Sequence, residues 1–112
     1  FDRSESDLDD AVFNLENDRL SPGVFFLQQS IEKALKAKII SEKEEPPFTH
    51  NLLELADKAE LPEDKVSRFE ELNNLYTGVR YPGEDIENVD KIEELIESAK
   101  EVLEWTKKQL RK

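Results

Sequence analysis

Residues 21–40 read SPGVFFLQQSIEKALKAKII, and this stretch decides the fold. Ser21 offers an N-cap oxygen, and Pro22 suits the first helical position, where a missing N–H costs nothing. After Gly23 neither glycine nor proline interrupts the run to Ile40. A helix from Pro22 to Ile40 would be about 28 Å long, enough to cross a small domain. Val24, Leu27, Ile31, Ala34 and Leu35 recur at steps of three and four, which is one helical face. Phe25, Phe26, Ala37, Ile39 and Ile40 widen it. A helix apolar over so much of its circumference is expected to be central, touched by several neighbours. Yet Gln28, Glu32 and Lys36 share a stripe at i, i+4 and i+8, and Gln29, Lys33 and Lys36 make a second, overlapping one. A polar seam on a mostly buried helix must face solvent, a partner subunit or a ligand.

Helical signals continue on both sides. Phe1 to Asp18 reads as an amphipathic helix with Leu8, Ala11, Val12 and Leu15 on one stripe. Ser4 or Ser6 can cap it, and Asp7, Asp9 and Asp10 sit at the positive end of its dipole. The short turn at Asn17 to Ser21 makes it an antiparallel neighbour of the Ser21 helix. Ser41 to Thr49, SEKEEPPFT, is a loop by its charge, its two prolines and its lack of periodicity. Thr49 can cap a short helix over Asn51 to Ala59. Pro62 opens a further helix to about Thr77, with Val66, Phe69, Leu72, Leu75, Tyr76 and Val79 as its core face and Gly78 as terminator. Arg80 to Asn88, RYPGEDIEN, is irregular. Val89 to Leu110 is the cleanest helix, with Ile92, Ile96, Ala99, Leu103, Thr106 and Leu110 on its stripe and Leu95, Val102 and Trp105 beside it. The expectation is an all-α, up-and-down four-helix bundle with one additional short helix, forming a single domain over residues 1–112.

Composition narrows the function classes. Charged residues make up 38% of the 112 residues and hydrophobic ones 37%, with three glycines, as suits a soluble helical protein. No apolar run approaches the roughly 20 residues that a membrane span needs. Zero cysteines exclude disulfides, thiolate nucleophiles and Cys-based metal sites, and they fit a cytoplasmic protein. The net charge of -11 repels nucleic acid at long range and argues against direct DNA binding. The locally basic stretches are Lys33, Lys36, Lys38 and Lys43, and Lys107, Lys108, Arg111 and Lys112. In the second, cations at a helix C-terminus complement the dipole.

Little in the sequence carries catalytic chemistry. His50 is the sole histidine, so no multi-His metal site exists within one chain, and no ExxH pair is present. Phosphate-binding glycine loops are absent. No cofactor or metal is implied. Three features stand out: the polar seam, the Thr49-His50-Asn51 segment, and Tyr76 followed by Arg80-Tyr81-Pro82. The plain reading of His50 is a side chain donating to backbone beside a cap, and that of Arg80 is an ion pair with Glu84 or Asp85. In the functional reading the rigid fork of Arg80 holds a phosphate or a partner carboxylate, with Tyr76 and Tyr81 flanking it.

QQSIEKALKA at 28–37, THNLLEL at 49–55 and LYTGVRYP at 75–82, in this order and separation, resemble the HEPN domain family. The resemblance covers the chain from about Leu8 to Leu110. It implies a small all-α bundle, commonly a homodimer, in the prokaryotic cytosol. It also implies a minimal nucleotidyltransferase partner encoded beside it, a toxin–antitoxin-like pairing and a nucleotide ligand. Gln28, Gln29, Glu32, Lys33 and Lys36 match the family's central-helix motif. His50 matches its histidine, and Arg80, Tyr81 and Pro82 match its RYP segment. Gly83 stands where many relatives have Asp. The catalytic HEPN ribonucleases carry Arg, four to six residues, then His. After Arg80 the corresponding positions hold Asp85, Ile86 and Glu87, and no histidine follows. The proton-transfer group of that mechanism is missing from its place.

The resulting expectation is a non-catalytic HEPN-type module. Lys33, Lys36, His50, Tyr76, Arg80 and Tyr81 are its candidate ligand-binding residues, and Gln28, Gln29 and Glu32 its candidate interface. The alternatives are a metal-independent ribonuclease using Arg80 with His50, and a structural dimeric adaptor in which both residues only satisfy internal hydrogen bonds.

Overall fold

The computed structural model describes residues 2–43, 48–76 and 89–111. Their helices are α1 (Asp2–Glu16), α2 (Leu20–Lys43), α3 (Leu52–Ala59), α4 (Phe69–Tyr76) and α5 (Val89–Leu110), with a 3-10 turn at Glu63–Lys65. No strand occurs among the described residues. The fold is all-α, as the periodicities predict.

α2 is the central element: α1, α3, α4 and α5 all pack on it. Its 24 residues make it about 36 Å long. Leu27, Ile31, Ala34 and Leu35 are fully buried on it. Leu27, Ile31 and Leu35 meet Ala11 of α1, Leu52, Leu55 and Ala59 of α3, Phe69 and Leu72 of α4, and Leu95, Ala99 and Val102 of α5 in one core. Ile92 and Ile96 of α5 are half-buried and Leu110 is exposed, so the buried stripe of that helix centres on Leu95, Ala99, Val102 and Thr106.

Three helix starts depart from the expected caps: Ser4 and Ser6 lie inside α1, which begins at Asp2, and neither Ser21 nor Thr49 is the cap of α2 or α3. α2 begins at Leu20, and Gly23 N–H already donates to Arg19 C=O at 3.0 Å, so Ser21 lies inside the first turn and caps nothing. The chain enters that turn from Asp18, whose φ of 59° is left-handed. Arg19 N–H closes back on Asn14 C=O at 2.8 Å, a Schellman-type ending of α1 built without glycine. α3 ends the same way: Glu60 has φ 60°, and Leu61 N–H reaches Ala56 C=O at 2.9 Å. The cap of α3 is Asn51, whose Oδ1 accepts from Leu53 and Glu54 N–H, while Thr49 Oγ1 accepts from Asn51 N–H.

The helix expected from Pro62 is divided. Lys65, Val66 and Phe69 N–H donate to Pro62, Glu63 and Val66 C=O in the tight three-residue pattern. Each such step advances about 2.0 Å and re-phases the chain. Phe69 and Leu72 thereby reach the core, which Val66 only borders. The expected irregular stretch Arg80–Asn88 and the terminator Gly78 lie outside the described residues.

Candidate functional site

The polar seam of α2 turns inward at two positions: Gln28 is 1% exposed and Glu32 4%. A buried carboxylate needs partners, because desolvation without them costs several kcal/mol. Glu32 has three. Lys36, one turn on, reaches Oε1 at 2.8 Å, and Gln29 Nε2 donates to Oε2 at 3.3 Å. The third is His50, whose Nδ1 bonds Oε1 from the segment leading into α3. One turn before Glu32, Gln28 Nε2 donates to the backbone C=O of His50 at 3.5 Å. Two side chains of α2 thus hold one residue by its peptide and its ring. The seam faces another segment of the same chain.

The rest of His50 points outward: its side chain is 81% exposed. Since a carboxylate only accepts, Nδ1 is the donor, and in the neutral ring Nε2 carries the lone pair. The buried carboxylate therefore orients an open imidazole. Such a pair can accept a proton or a ligand's N–H or O–H through Nε2. Lys36 adds a positive charge that Glu32 offsets. Gln28 Oε1 is buried and has no hydrogen-bond partner among the described residues.

The other candidates separate. Lys33 leaves the seam for α1, where its Nζ meets Asp7 Oδ2 at 2.5 Å. Tyr76 is the last residue of α4. Arg80 and Tyr81 lie outside the described residues. Gln28, Gln29, Glu32, Lys36 and His50 form one connected cluster, while Lys33 belongs to the α1–α2 joint. Among the described residues no group of three His, Asp or Glu side chains is placed to hold a metal ion. None of the helices there is long and apolar enough to cross a membrane.

Sequence reasoning placed Glu32 at an interface and missed its role as hub. The signal was present in part, as a glutamate four residues before Lys36 on a helix otherwise apolar. Asp7 as the partner of Lys33 had no local signal.

The two stretches that meet at Glu32 are the QQSIEKALKA and THNLLEL segments, and the family-model comparison covers both. The HEPN domain model matches residues 1–110. The chain belongs to the HEPN domain family. No curated protein and no solved structure matches it. Within this HEPN chain the first two motif segments are in direct side-chain contact across 18 residues of sequence.

Proposed function

We propose that this HEPN protein is a non-catalytic binding module of the prokaryotic cytoplasm. It is an up-and-down four-helix bundle with one additional short helix, acts as a homodimer, and engages a minimal nucleotidyltransferase in a toxin–antitoxin-like pair, with a nucleotide as a further ligand. The observation carrying this reading is the Glu32–His50 contact. Two motif segments separated in sequence converge on one exposed imidazole, and the convergence uses buried polar groups that a merely stable core would replace with apolar ones. The RYP segment, with Arg80 as anion holder, supplies the phosphate chemistry. Co-expression with the nucleotidyltransferase encoded beside the gene tests it. A complex that stays together through size-exclusion chromatography at micromolar concentration is the expected result, and separate elution removes the partner claim.

One observation favours a second reading. The carboxylate-oriented imidazole of His50 is a proton-transfer group, the element that the sequence lacks after Arg80. A metal-independent ribonuclease would use it with Arg80. Incubation with cellular RNA decides: cleavage abolished in both His50→Ala and Arg80→Ala establishes this reading, and intact RNA retires it.

A further inference from the structure

A groove of about 450 Å³ runs between α3 and the segment that follows it. It shares no residue with the Glu32–His50 cluster. Its apolar lining is Leu53, Ala56, Leu61 and Val66. Leu53 is 45% exposed, while Leu52, Leu55, Ala56 and Ala59 of the same helix are buried. The remaining charged lining is acidic throughout: Asp57, Glu63 and Glu70, all exposed, with no lysine or arginine among them.

The acidic character extends past the groove. Ser67 also borders a neighbouring cleft of about 650 Å³, lined on its α5 side by Glu93, Glu94, Glu97 and Glu101. Two cations enter that cleft, Lys65 and Arg68. Arg68 is already engaged, with Glu94 Oε2 at 2.8 Å and Glu71 Oε2 at 3.3 Å. The face is therefore an apolar slot set in a field of carboxylates, on a chain whose net charge is -11.

We propose that this groove docks a cationic amphipathic helix of another protein, with apolar side chains in the slot and Lys or Arg over Asp57, Glu63 and Glu70. Charge decides the occupant. A second copy of the same face would set like charges opposite one another, which disfavours self-association there. Nucleic acid is repelled by the same field. A helix of the stated kind satisfies both parts of the surface, burying leucine-sized side chains against Leu53, Leu61 and Val66 while its cations meet the rim.

The test uses the full chain and a fluorescein-labelled 18-residue peptide with leucines on one helical face and lysines on the other. A scrambled peptide of the same composition, without an apolar face, is the first control. Fluorescence anisotropy is expected to give saturable binding of the amphipathic peptide, about tenfold tighter than the scrambled one (about 1.4 kcal/mol). The double variant Glu63→Lys/Glu70→Lys should weaken it about tenfold or more. Asp9→Lys/Asp10→Lys, on the exposed surface of α1, makes the same change in net charge and should have a far smaller effect. Leu53→Ser should lower affinity with the salt dependence retained. All substituted positions are exposed, and circular dichroism checks that each variant folds. Equal binding of the two peptides, or equal loss in the two charge-reversed variants, means attraction to bulk charge and overturns the proposal.

Discussion

Glu32 has one carboxylate and three donors, so its removal orphans several groups at once. In Glu32→Ala the amide of Gln29, the ammonium of Lys36 and the ring of His50 all lose their acceptor. The expected cost is about 1–3 kcal/mol in urea unfolding. Glu32→Gln keeps an acceptor oxygen and the shape, and should cost less. A double-mutant cycle of Glu32→Ala with His50→Ala isolates the contact between α2 and the segment before α3. A coupling of about 0.5–3 kcal/mol is expected, and one indistinguishable from zero would show that the ring is not held. At this scale sequence reading singled out every residue of the cluster but not the contact that joins its two segments. The Glu32–Lys36 spacing is visible on any helix, since four residues bring two side chains together. The Glu32–His50 contact depends on where the chain returns after leaving α2. No local rule specifies that, so His50 read as a residue bonding to backbone.

Between elements, α1 and α2 come close together at Gly23. Three residues join α1 to α2, which folds them side by side, and Gly23 lies against Leu15. Helix propensity alone favours alanine at Gly23 by about 1 kcal/mol. A Cβ there would sit 2.5 Å from Leu15 Cδ2 and 2.6 Å from Cγ. Packing opposes propensity and wins: Gly23→Ala should lower stability by about 1–2 kcal/mol, and adding Leu15→Ala should return part of the loss. A urea midpoint for Gly23→Ala above that of the parent would sink this account. Helix types were legible because their apolar steps repeat, and α5 has the bounds that its pattern indicates. Helix ends were less so. Ser21 had the chemistry of a cap, but the left-handed turn at Asp18 starts α2 earlier. The break before Phe69 follows from the demand that Phe69 and Leu72 enter a core already defined by α2, a tertiary demand with no glycine or proline to mark it.

Over the whole molecule, 27 carboxylates face 16 cations. Raising salt from about 0.01 M to about 0.15 M shortens the screening length from about 30 Å to about 8 Å. That weakens the exposed ion pairs, worth about 0–1 kcal/mol each, and also the long-range repulsion among the excess carboxylates. The excess prevails, so the thermal midpoint should rise with sodium chloride over this range, and a fall would mean that specific pairs dominate. The net charge behind this expectation is read directly from sequence. So is family membership, because three motif segments in order suffice for it. Which helix faces the acidic groove was not legible, since Leu53 and the carboxylates around it come from segments that only the fold adjoins.

The contact between Lys38 and Trp105 makes the protein its own optical gauge. Trp105 is the sole tryptophan, on α5, and the Lys38 ammonium of α2 lies 5.7 Å from its ring centroid. Lys38 is itself nearly buried and held by Glu42. Indole emission therefore reports on a single joint, that between the central helix and the last one. Far-ultraviolet circular dichroism reports on every helix together. Superimposable unfolding curves from the two signals mean that α5 leaves only when the whole bundle melts. Curves that separate identify α5 as a unit able to detach, without any label or engineered residue.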